Sequence, residues 1–256
     1  MLEPGTRPAA TVAVLRPGPQ GPEVLLLKRS GRMGFFPDAW VFPGGRVDPE
    51  DGVVPTVGQV VGLDEARRDH AVAAIRECFE EAGVWLGGGL PADGLRAGLA
   101  HGAGARGAVH GRSLDVSGLG LWSRWVTPDV EPKRYDTLFF VAAATGLAEA
   151  LADQTETVSH MWVRPEDLLA AGGPPDGFLG PPTWVTLREL CGYRTPELAL
   201  AACAGRPRGR VMPRLLRDGA AGWEVFLPGH QTHPEPRVLS GATHLRFDGR
   251  GWLESP

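Results

Sequence analysis

Residues 64–82 carry the clearest helical pattern in the chain, and signals for both helix ends frame it. Asp64 is a suitable N-cap, and Gly83 fits the left-handed position just beyond a helix C-terminus. At 100° per residue, one face of this helix is apolar. The members of that face are Val72, Ile75, Phe79 and Ala82. The pattern therefore predicts a long amphipathic helix that lies on a core.

The other face of this helix carries Glu77, Glu80 and Glu81 within an arc of about 100°. Charged runs on helices usually face water, but a stable surface helix pairs a glutamate with a basic residue four positions later. Here those positions hold Glu81, Val84 and Trp85. Glu77 and Glu81 also repel each other, and a helix C-terminus disfavours negative charge. A cluster without basic partners favours a bound cation, and hard divalent ions take carboxylate oxygens.

Strands are predicted on both sides of this helix in the sequence. They cover residues 11–18, 23–30, 40–42, 121–128, 134–144 and 157–163, with a short helix at 164–172. Two stretches have no strand pattern and are interpreted as insertions, 46–63 and 87–120, with a short helix expected near 95–99. Beyond residue 173, helices are predicted at 181–190 and 195–205, and strands at 223–230 and 243–253.

The bulk properties exclude several classes of protein. A length of 256 residues suits one large domain with a real core. A net charge of −4 argues against nucleic-acid or membrane-surface binding, and no apolar run is long enough to span a bilayer. Cys78, Cys191 and Cys203 are few, odd in number and widely spaced. They predict free thiols in a reducing compartment, so a cytoplasmic location is expected.

The stretch RECFEEAGV at residues 76–84 resembles the second half of the Nudix box, R-E-U-x-E-E-x-G-U, where U is a bulky aliphatic residue. The matching positions are Arg76, Glu77, Glu80, Glu81, Gly83 and Val84, and the smaller Cys78 stands at the first U. The stretch VFPGG at 41–45 resembles the strand and turn that open the box, and the similarity covers roughly residues 8–172.

The spacing inside the box departs from the family pattern. The family places its glycine 14 residues before the arginine, whereas Gly45 precedes Arg76 by 31, so about 17 residues are inserted. Gly62 has the family spacing, but the residue six positions later is Arg68 and not the family's glutamate. An insertion here resembles the branch that contains coenzyme A and acyl-coenzyme A diphosphatases. The segment 122–142, with its RYDTLFF strand, resembles that branch as well.

The resemblance implies an α/β fold of the α+β kind, an α/β/α sandwich with a mixed β-sheet. It implies a hydrolase domain over 1–172. The composition becomes rich in Pro and Gly from about residue 173, so residues 173–256 are interpreted as a C-terminal extension packed on the same domain, as a lid, a dimer element or part of an acyl pocket. The resemblance also implies that water cleaves a diphosphate linkage with Mg²⁺ or Mn²⁺. The implied metal ligands are Glu77, Glu80, Glu81, the carbonyl of Gly44, and Glu156 from outside the box. The implied role of Arg76 is to orient a glutamate and the Pro-Gly-Gly turn by hydrogen bonds. The choice of general base stays open among the acidic residues.

The substrate contacts are less specific. Four basic residues suit phosphate binding, and equally suit ordinary surface or fold-stabilising roles, namely Arg29, Arg32, Lys133 and Arg134. Asp136 is expected to pair with Arg134.

Three hypotheses about the function follow. The first is a coenzyme A or acyl-coenzyme A diphosphatase, and the second keeps the chemistry but acts on ADP-ribose, NADH or dinucleoside polyphosphates. The third is an inactive nucleotide-binding sensor domain, against which the intact glutamate set argues.

Overall fold

The computed structural model describes residues 2–31, 36–89, 109, 112–144, 150, 157–218, 222–249 and 251–255. The strands are β1 Arg7–Arg16, β2 Glu23–Arg29, β3 Ala39–Val41, β4 Gly44–Arg46, β5 Thr56–Val57, β6 Leu114–Asp115, β7 Leu119–Val126, β8 Tyr135–Ala143, β9 Thr157–Val163, β10 Phe178–Leu179, β11 Arg210–Val211, β12 Arg214–Asp218, β13 Gly222–Phe226, β14 His244–Phe247 and β15 Trp252–Ser255. The helices are α1 Arg68–Ala82, α2 Pro165–Ala170, α3 Pro181–Leu190 and α4 Pro196–Ala202, with 3₁₀ turns at Pro49–Val53, Glu65–Arg67 and Cys203–Gly205.

The central sheet contains both parallel and antiparallel pairs. Its order is β10-β3-β2-β1-β8-β7-β11, with β4 also paired to β1 and β9 to β2. Strand β1 runs parallel to β8 along most of its length and antiparallel to β2 and β4. This arrangement confirms the predicted mixed sheet and the α/β class.

Alternate residues of the central strands face two separate cores, as the two-residue period of a strand requires. On β1, Val12 and Val14 join the core under α1, whereas Ala13 and Leu15 join the core on the opposite face. The predicted apolar face of α1 is confirmed, since all four of its members are almost fully buried. The helix ends as predicted, because Gly83 adopts φ 67° and its N–H donates to the carbonyl of Phe79.

The opposite face of the sheet is covered largely by the residues beyond 173. These residues supply more than half of the buried apolar side chains in the second core, including Trp184 and Leu187 of α3. Strand β10 pairs with β3 and β11 pairs with β7, so the same segment also extends the central sheet. Strands β12 to β15 form an antiparallel sheet, which is joined to β10 where Trp252 Nε1 donates to the Leu179 carbonyl at 2.7 Å.

Several predicted elements match the structure closely and others do not. Strand β9 and helix α3 have the predicted bounds. The strand predicted at 243–253 is instead two strands, because Asp248 and Gly251 form a turn. The N–H of Asp248 donates to the Gly251 carbonyl, and the N–H of Gly251 donates to Asp248 Oδ1. The helix predicted near 95–99 lies outside the described residues. No helix in the described ranges is long and apolar enough to cross a bilayer.

The stretch 46–63 is more regular than predicted. It begins with the last residue of β4 and continues with the 3₁₀ turn Pro49–Val53, after which β5 pairs in parallel with β6. Val61 bridges to Gly120 at the start of β7, so the stretch is hydrogen-bonded to residues that lie beyond α1. Part of the range 87–120 is also regular, because β6 and the first residues of β7 fall inside it.

Candidate active site

Two adjacent glycines bring the backbone of β4 against the glutamates of α1. A Cβ atom on Gly45 would lie 2.5 Å from the carboxyl carbon of Glu77. A Cβ atom on Gly44 would lie 2.5 Å from the carbonyl oxygen of Ala10 on β1. The N–H of Gly44 donates to Glu81 Oε2 at 3.0 Å. The Pro-Gly-Gly turn therefore places main-chain atoms in contact with Glu77 and Glu81, an approach that side chains at these positions would block.

The Arg76 side chain is almost fully buried and donates hydrogen bonds to several groups of this site. Its Nη1 donates to Glu77 Oε1 at 2.9 Å and to Glu80 Oε2 at 3.2 Å, so one nitrogen holds both carboxylates. Its Nη2 donates to the Arg46 carbonyl at 2.9 Å, next to the Pro-Gly-Gly turn. Its remaining face meets Asp51, with Nε to Oδ1 at 2.9 Å and Nη2 to Oδ2 at 3.0 Å.

The expectation that the glutamates have no basic partner is wrong. The i,i+4 pairing rule concerns basic residues that follow a glutamate, whereas Arg76 precedes Glu80 by four and adjoins Glu77. Burial alone would lower the pKa of Arg76, but its hydrogen bonds to Asp51 and the charges of the three nearby carboxylates raise that pKa overall. The guanidinium therefore stays charged and offsets much of the repulsion within the glutamate cluster.

Asp51 is a site residue that the sequence analysis missed. It lies on the 3₁₀ turn Pro49–Val53, is 1% exposed, and accepts a further hydrogen bond from the N–H of Asp48 at 2.8 Å. A signal for it was present, since Asp51 is the sixth residue after Gly45, where the family pattern has its glutamate. With Asp51 in that place, the inserted residues fall between Asp51 and Arg76.

The three glutamates do not all point away from the core, as the helical arc predicted. The side chains of Glu77 and Glu80 are 16% and 21% exposed, whereas Glu81 is buried. The reason is that β4 crosses the helix beside Glu81, whose own carbonyl also accepts from the Thr157 hydroxyl of β9 at 3.4 Å. The cluster is therefore half open, with one carboxylate inside and two at the surface.

The donor atoms at this site suit a hard divalent cation, because carboxylate and main-chain carbonyl oxygens are the ligands that Mg²⁺ prefers. In the described ranges, however, no three His, Cys, Asp or Glu side chains surround a common point as ligands. Glu77 and Glu80 turn towards Arg76, and Glu81 turns towards the Gly44 N–H. The residue types fit a cation, which would compete with Arg76 for the half-buried carboxylates of Glu77 and Glu80. Glu156 lies outside the described residues.

Of the residues predicted to bind substrate, Arg29 lies on the same side of the sheet as α1. It follows Leu25 and Leu27 in the alternation of β2, and both leucines belong to the core under α1. In the sheet Arg29 pairs with Thr157, the residue that contacts the Glu81 carbonyl. Its Nε atom is buried, and no described residue accepts a hydrogen bond from it.

The other predicted substrate contacts are placed differently. Arg134 donates to the carbonyls of Thr127 and Pro4 and forms an ion pair with Asp129, so its described partners lie outside the glutamate site. Lys133 is exposed in the connection between β7 and β8. Arg32 lies outside the described part of the chain.

The expected pair between Asp136 and Arg134 is wrong. Asp136 instead accepts from Nε and Nη2 of Arg124, at 2.8 and 2.6 Å, and from the N–H of Glu3 at 2.8 Å. In the register of β7 and β8, Arg124 lies opposite Leu138, so Arg124 and Asp136 are diagonal neighbours on one face. This cross-strand geometry decides the partner of Asp136.

The three cysteines are free, as predicted. Burial raises the pKa of the Cys191 and Cys203 thiols to about 11, and it raises the pKa of Cys78 further. These thiols are therefore protonated at neutral pH and are poor nucleophiles.

Comparisons with known proteins point to one family. The family model described as the NUDIX domain matches residues 5–178. The chain is 28% identical to the acyl-coenzyme A diphosphatase NUDT19 of Gallus gallus, a match that covers 88% of this chain and 77% of that protein. The corresponding human protein is 27% identical, over 90% of this chain and 77% of that protein.

A solved structure gives the same result. The NUDIX hydrolase from Alicyclobacillus acidocaldarius superposes with a TM-score of 0.67 and 29% identity, which covers 78% of this chain and 97% of that chain. The family match spans more than half of the sequence and contains the glutamate helix, the Pro-Gly-Gly turn and Asp51. The chain therefore belongs to the NUDIX family, and it is a hydrolase that acts on pyrophosphate bonds.

Proposed function

We propose that this protein hydrolyses the diphosphate linkage of coenzyme A or an acyl-coenzyme A, with Mg²⁺ or Mn²⁺ as its cofactor. The observation that carries the proposal is the carboxylate cluster of α1, which Arg76 gathers against the two glycines of β4. The substrate class is supported by the diphosphatases of chicken and human, which resemble this chain over most of its length.

In this proposal the side chains of Glu77, Glu80, Glu81 and Glu156 and the carbonyl of Gly44 hold the cation. When bound, a divalent cation neutralises phosphate charge and lowers the pKa of water. Arg76 acts as a positioning residue, because it fixes the carboxylates of Glu77 and Glu80 relative to β4. The general base is one of the acidic residues of this cluster.

Arg29 is the substrate contact that the geometry supports best. A guanidinium with a buried Nε and no described acceptor is suited to a phosphate oxygen, which would satisfy it. Arg32 and Lys133 are proposed as further phosphate contacts. Arg134 is the weakest of the four, since its hydrogen bonds to the N-terminal segment and to the β7–β8 connection explain its position.

The test is a panel of diphosphate compounds, assayed with Mg²⁺ and with Mn²⁺ by phosphate-ester product analysis. The panel contains coenzyme A, a short-chain and a long-chain acyl-coenzyme A, ADP-ribose, NADH and a dinucleoside polyphosphate. We expect the highest kcat/KM for coenzyme A or an acyl derivative. A higher kcat/KM for ADP-ribose, NADH or a dinucleoside polyphosphate would reject the substrate class, and inactivity on the whole panel would favour a nucleotide-binding sensor.

Two further proposals concern the setting of the enzyme. We propose a cytoplasmic location because the three cysteines are free and a reducing compartment keeps them so. We propose that residues 1–172 form the hydrolase domain and that residues 173–256 pack on it, with a homodimer contact or lid on that extension. Light scattering of the purified protein, with detection of the molar mass, tests the homodimer directly.

A further inference from the structure

The Pro43 carbonyl accepts two hydrogen bonds from neighbouring residues of β1. The N–H of Val12 donates to it at 2.9 Å, and the hydroxyl of Thr11 donates to it at 2.7 Å. The same hydroxyl lies 3.3 Å from the Phe42 carbonyl, so its single proton is directed mainly at Pro43. The start of the Pro-Gly-Gly turn is therefore held on β1 by a side chain as well as by the main chain.

Thr11 is buried on the side of the sheet that faces away from the glutamates. In the alternation of β1 it shares a face with Ala13 and Leu15, which belong to the core opposite α1. Helix α1 packs on the other face, which carries Val12. Any effect of Thr11 on the carboxylates must therefore pass through the main chain of the turn.

The peptide unit between Pro43 and Gly44 provides that connection. Its carbonyl accepts from the Thr11 hydroxyl, and its N–H donates to Glu81 Oε2 at 3.0 Å. Because a trans peptide unit is planar and rigid, the two hydrogen bonds fix the same plane from opposite ends. Linked hydrogen bonds also polarise one another, so the bond from Thr11 strengthens the bond to Glu81. The hydroxyl thus acts on the position of Glu81 from across the sheet.

Threonine is common in strands because its branched side chain packs well on a pleated surface, so a threonine at position 11 implies no role by itself. Its contact with Gly44 points further. The register of β1 and β4 pairs the two residues, and a Cβ atom on Gly44 would come within 2.5 Å of Thr11 Oγ1. The glycine therefore lets the hydroxyl reach the turn, and the two residues form one arrangement.

We infer that Thr11 is a positioning residue of the hydrolytic site. Its hydroxyl orients the peptide unit between Pro43 and Gly44, and through it Glu81 and the carbonyl of Gly44. The inference rests on the proposed role of Glu81 and Gly44 as metal ligands. Loss of the hydroxyl should weaken metal binding and slow hydrolysis without changing the affinity for substrate, whereas a role in packing alone would affect only stability.

The test compares two substitutions of Thr11 with a matched control. Thr11→Val replaces the hydroxyl by a methyl group of similar size, and Thr11→Ser keeps the hydroxyl. The control is Thr186→Val, because the buried hydroxyl of Thr186 on α3 also donates to a proline carbonyl, that of Pro182 at 2.8 Å. Urea denaturation should show similar losses of stability for Thr11→Val and Thr186→Val, since each loses one buried hydrogen bond of the same kind.

Metal binding and kinetics separate positioning from packing. Mn²⁺ is titrated into each protein and followed by the loss of its free electron paramagnetic resonance signal, and kcat and KM are measured on the best substrate of the panel. We expect Thr11→Val to raise the Kd for Mn²⁺ by about tenfold and to lower kcat by a similar factor with KM unchanged, as the loss of a group that orients a metal ligand does. Thr11→Ser should recover most of both losses, and Thr186→Val should keep the wild-type values.

Two outcomes would overturn the inference while leaving the proposed function in place. One is a wild-type Kd for Mn²⁺ in Thr11→Val when Glu80→Gln binds Mn²⁺ more weakly, because the metal site then needs nothing from Thr11. The other is an equal loss of affinity in Thr11→Ser and Thr11→Val, which would make the hydroxyl irrelevant. A wild-type protein that binds no Mn²⁺ would reject the proposed metal site itself, and this inference with it.

Discussion

Asp51 and Arg76 form a bidentate ion pair that is buried from solvent, with both side chains at most 1% exposed. The same guanidinium holds Glu77 and Glu80 through its Nη1 atom. The geometry of the candidate metal ligands therefore depends on a carboxylate 25 residues earlier in the chain. Asp51 acts on the glutamates only through Arg76, so it is a positioning residue.

Replacement of Asp51 by asparagine should destabilise the protein and slow hydrolysis. The substitution leaves the buried charge of Arg76 with less compensation, and breaking a buried ion pair costs about 3 kcal/mol. Urea denaturation measures the free energy of unfolding, and kcat is expected to fall while KM changes little. Glu50→Gln is the control, because Glu50 lies exposed on the same turn and should shift the free energy by at most about 0.5 kcal/mol. Equal midpoints for Asp51→Asn and Glu50→Gln would contradict the role of Asp51.

Replacement of Gly45 by alanine should displace the Glu77 carboxylate. The added methyl group would lie 2.5 Å from the carboxyl carbon, which is far inside normal contact distance. We expect kcat to fall on the order of 100-fold, as displacements of about 1 Å can cause, while the circular dichroism spectrum stays unchanged. Gly52→Ala makes the same change where no atom lies within 4 Å, and it should retain wild-type kcat. Full activity of Gly45→Ala would remove Glu77 from the proposed ligand set.

Replacement of Glu77 or Glu80 by glutamine should weaken metal binding. Each change removes one charged oxygen donor and leaves the shape of the side chain in place. Titration with Mn²⁺, followed by the loss of its free electron paramagnetic resonance signal, should give a Kd at least about tenfold weaker than that of the wild type. Glu197→Gln on the exposed face of α4 is the control for charge alone. An unchanged Kd in both site variants would place the metal elsewhere.

The Arg124–Asp136 pair should make stability depend on pH in the acid range. Burial raises the pKa of Asp136, but the hydrogen bonds and charge of Arg124 and the Glu3 N–H lower it overall. Because the folded pKa lies below the unfolded value of about 3.9, the stabilisation is present above that value and is lost as pH falls through the folded pKa. The Tm of Asp136→Asn should therefore lie below that of the wild type at pH 7, with a gap that narrows below about pH 4. A constant gap between pH 7 and pH 3 would show that the carboxylate charge is irrelevant.

Elements with a strong local pattern were predictable from the sequence. Helix α1 and its glycine terminus follow from a 3.6-residue period, and strand β9 and helix α3 follow from short runs bounded by turn residues. The three glutamates were found because a helix brings positions three and four apart onto one face. These features depend on residues close together in the sequence.

Features that depend on distant pairs were not predictable in the same way. The partner of Asp136 is set by the register of β7 against β8, which no local period encodes. The contact between Asp51 and Arg76 crosses an insertion, so its residues are far apart in sequence and adjacent in space. The inward turn of Glu81 likewise depends on where β4 crosses α1.

The way in which the residues beyond 173 pack has a practical consequence for anyone who wishes to isolate the catalytic part of this protein. A polypeptide that stopped where the family model stops, at residue 178, would leave Leu15, Trp122 and Phe139 open to water on one whole side. It would also leave β3 and β7 as bare sheet edges, which invite aggregation. The packing therefore predicts that the hydrolase part, proposed as residues 1–172, needs the chain up to Trp252 in order to fold stably.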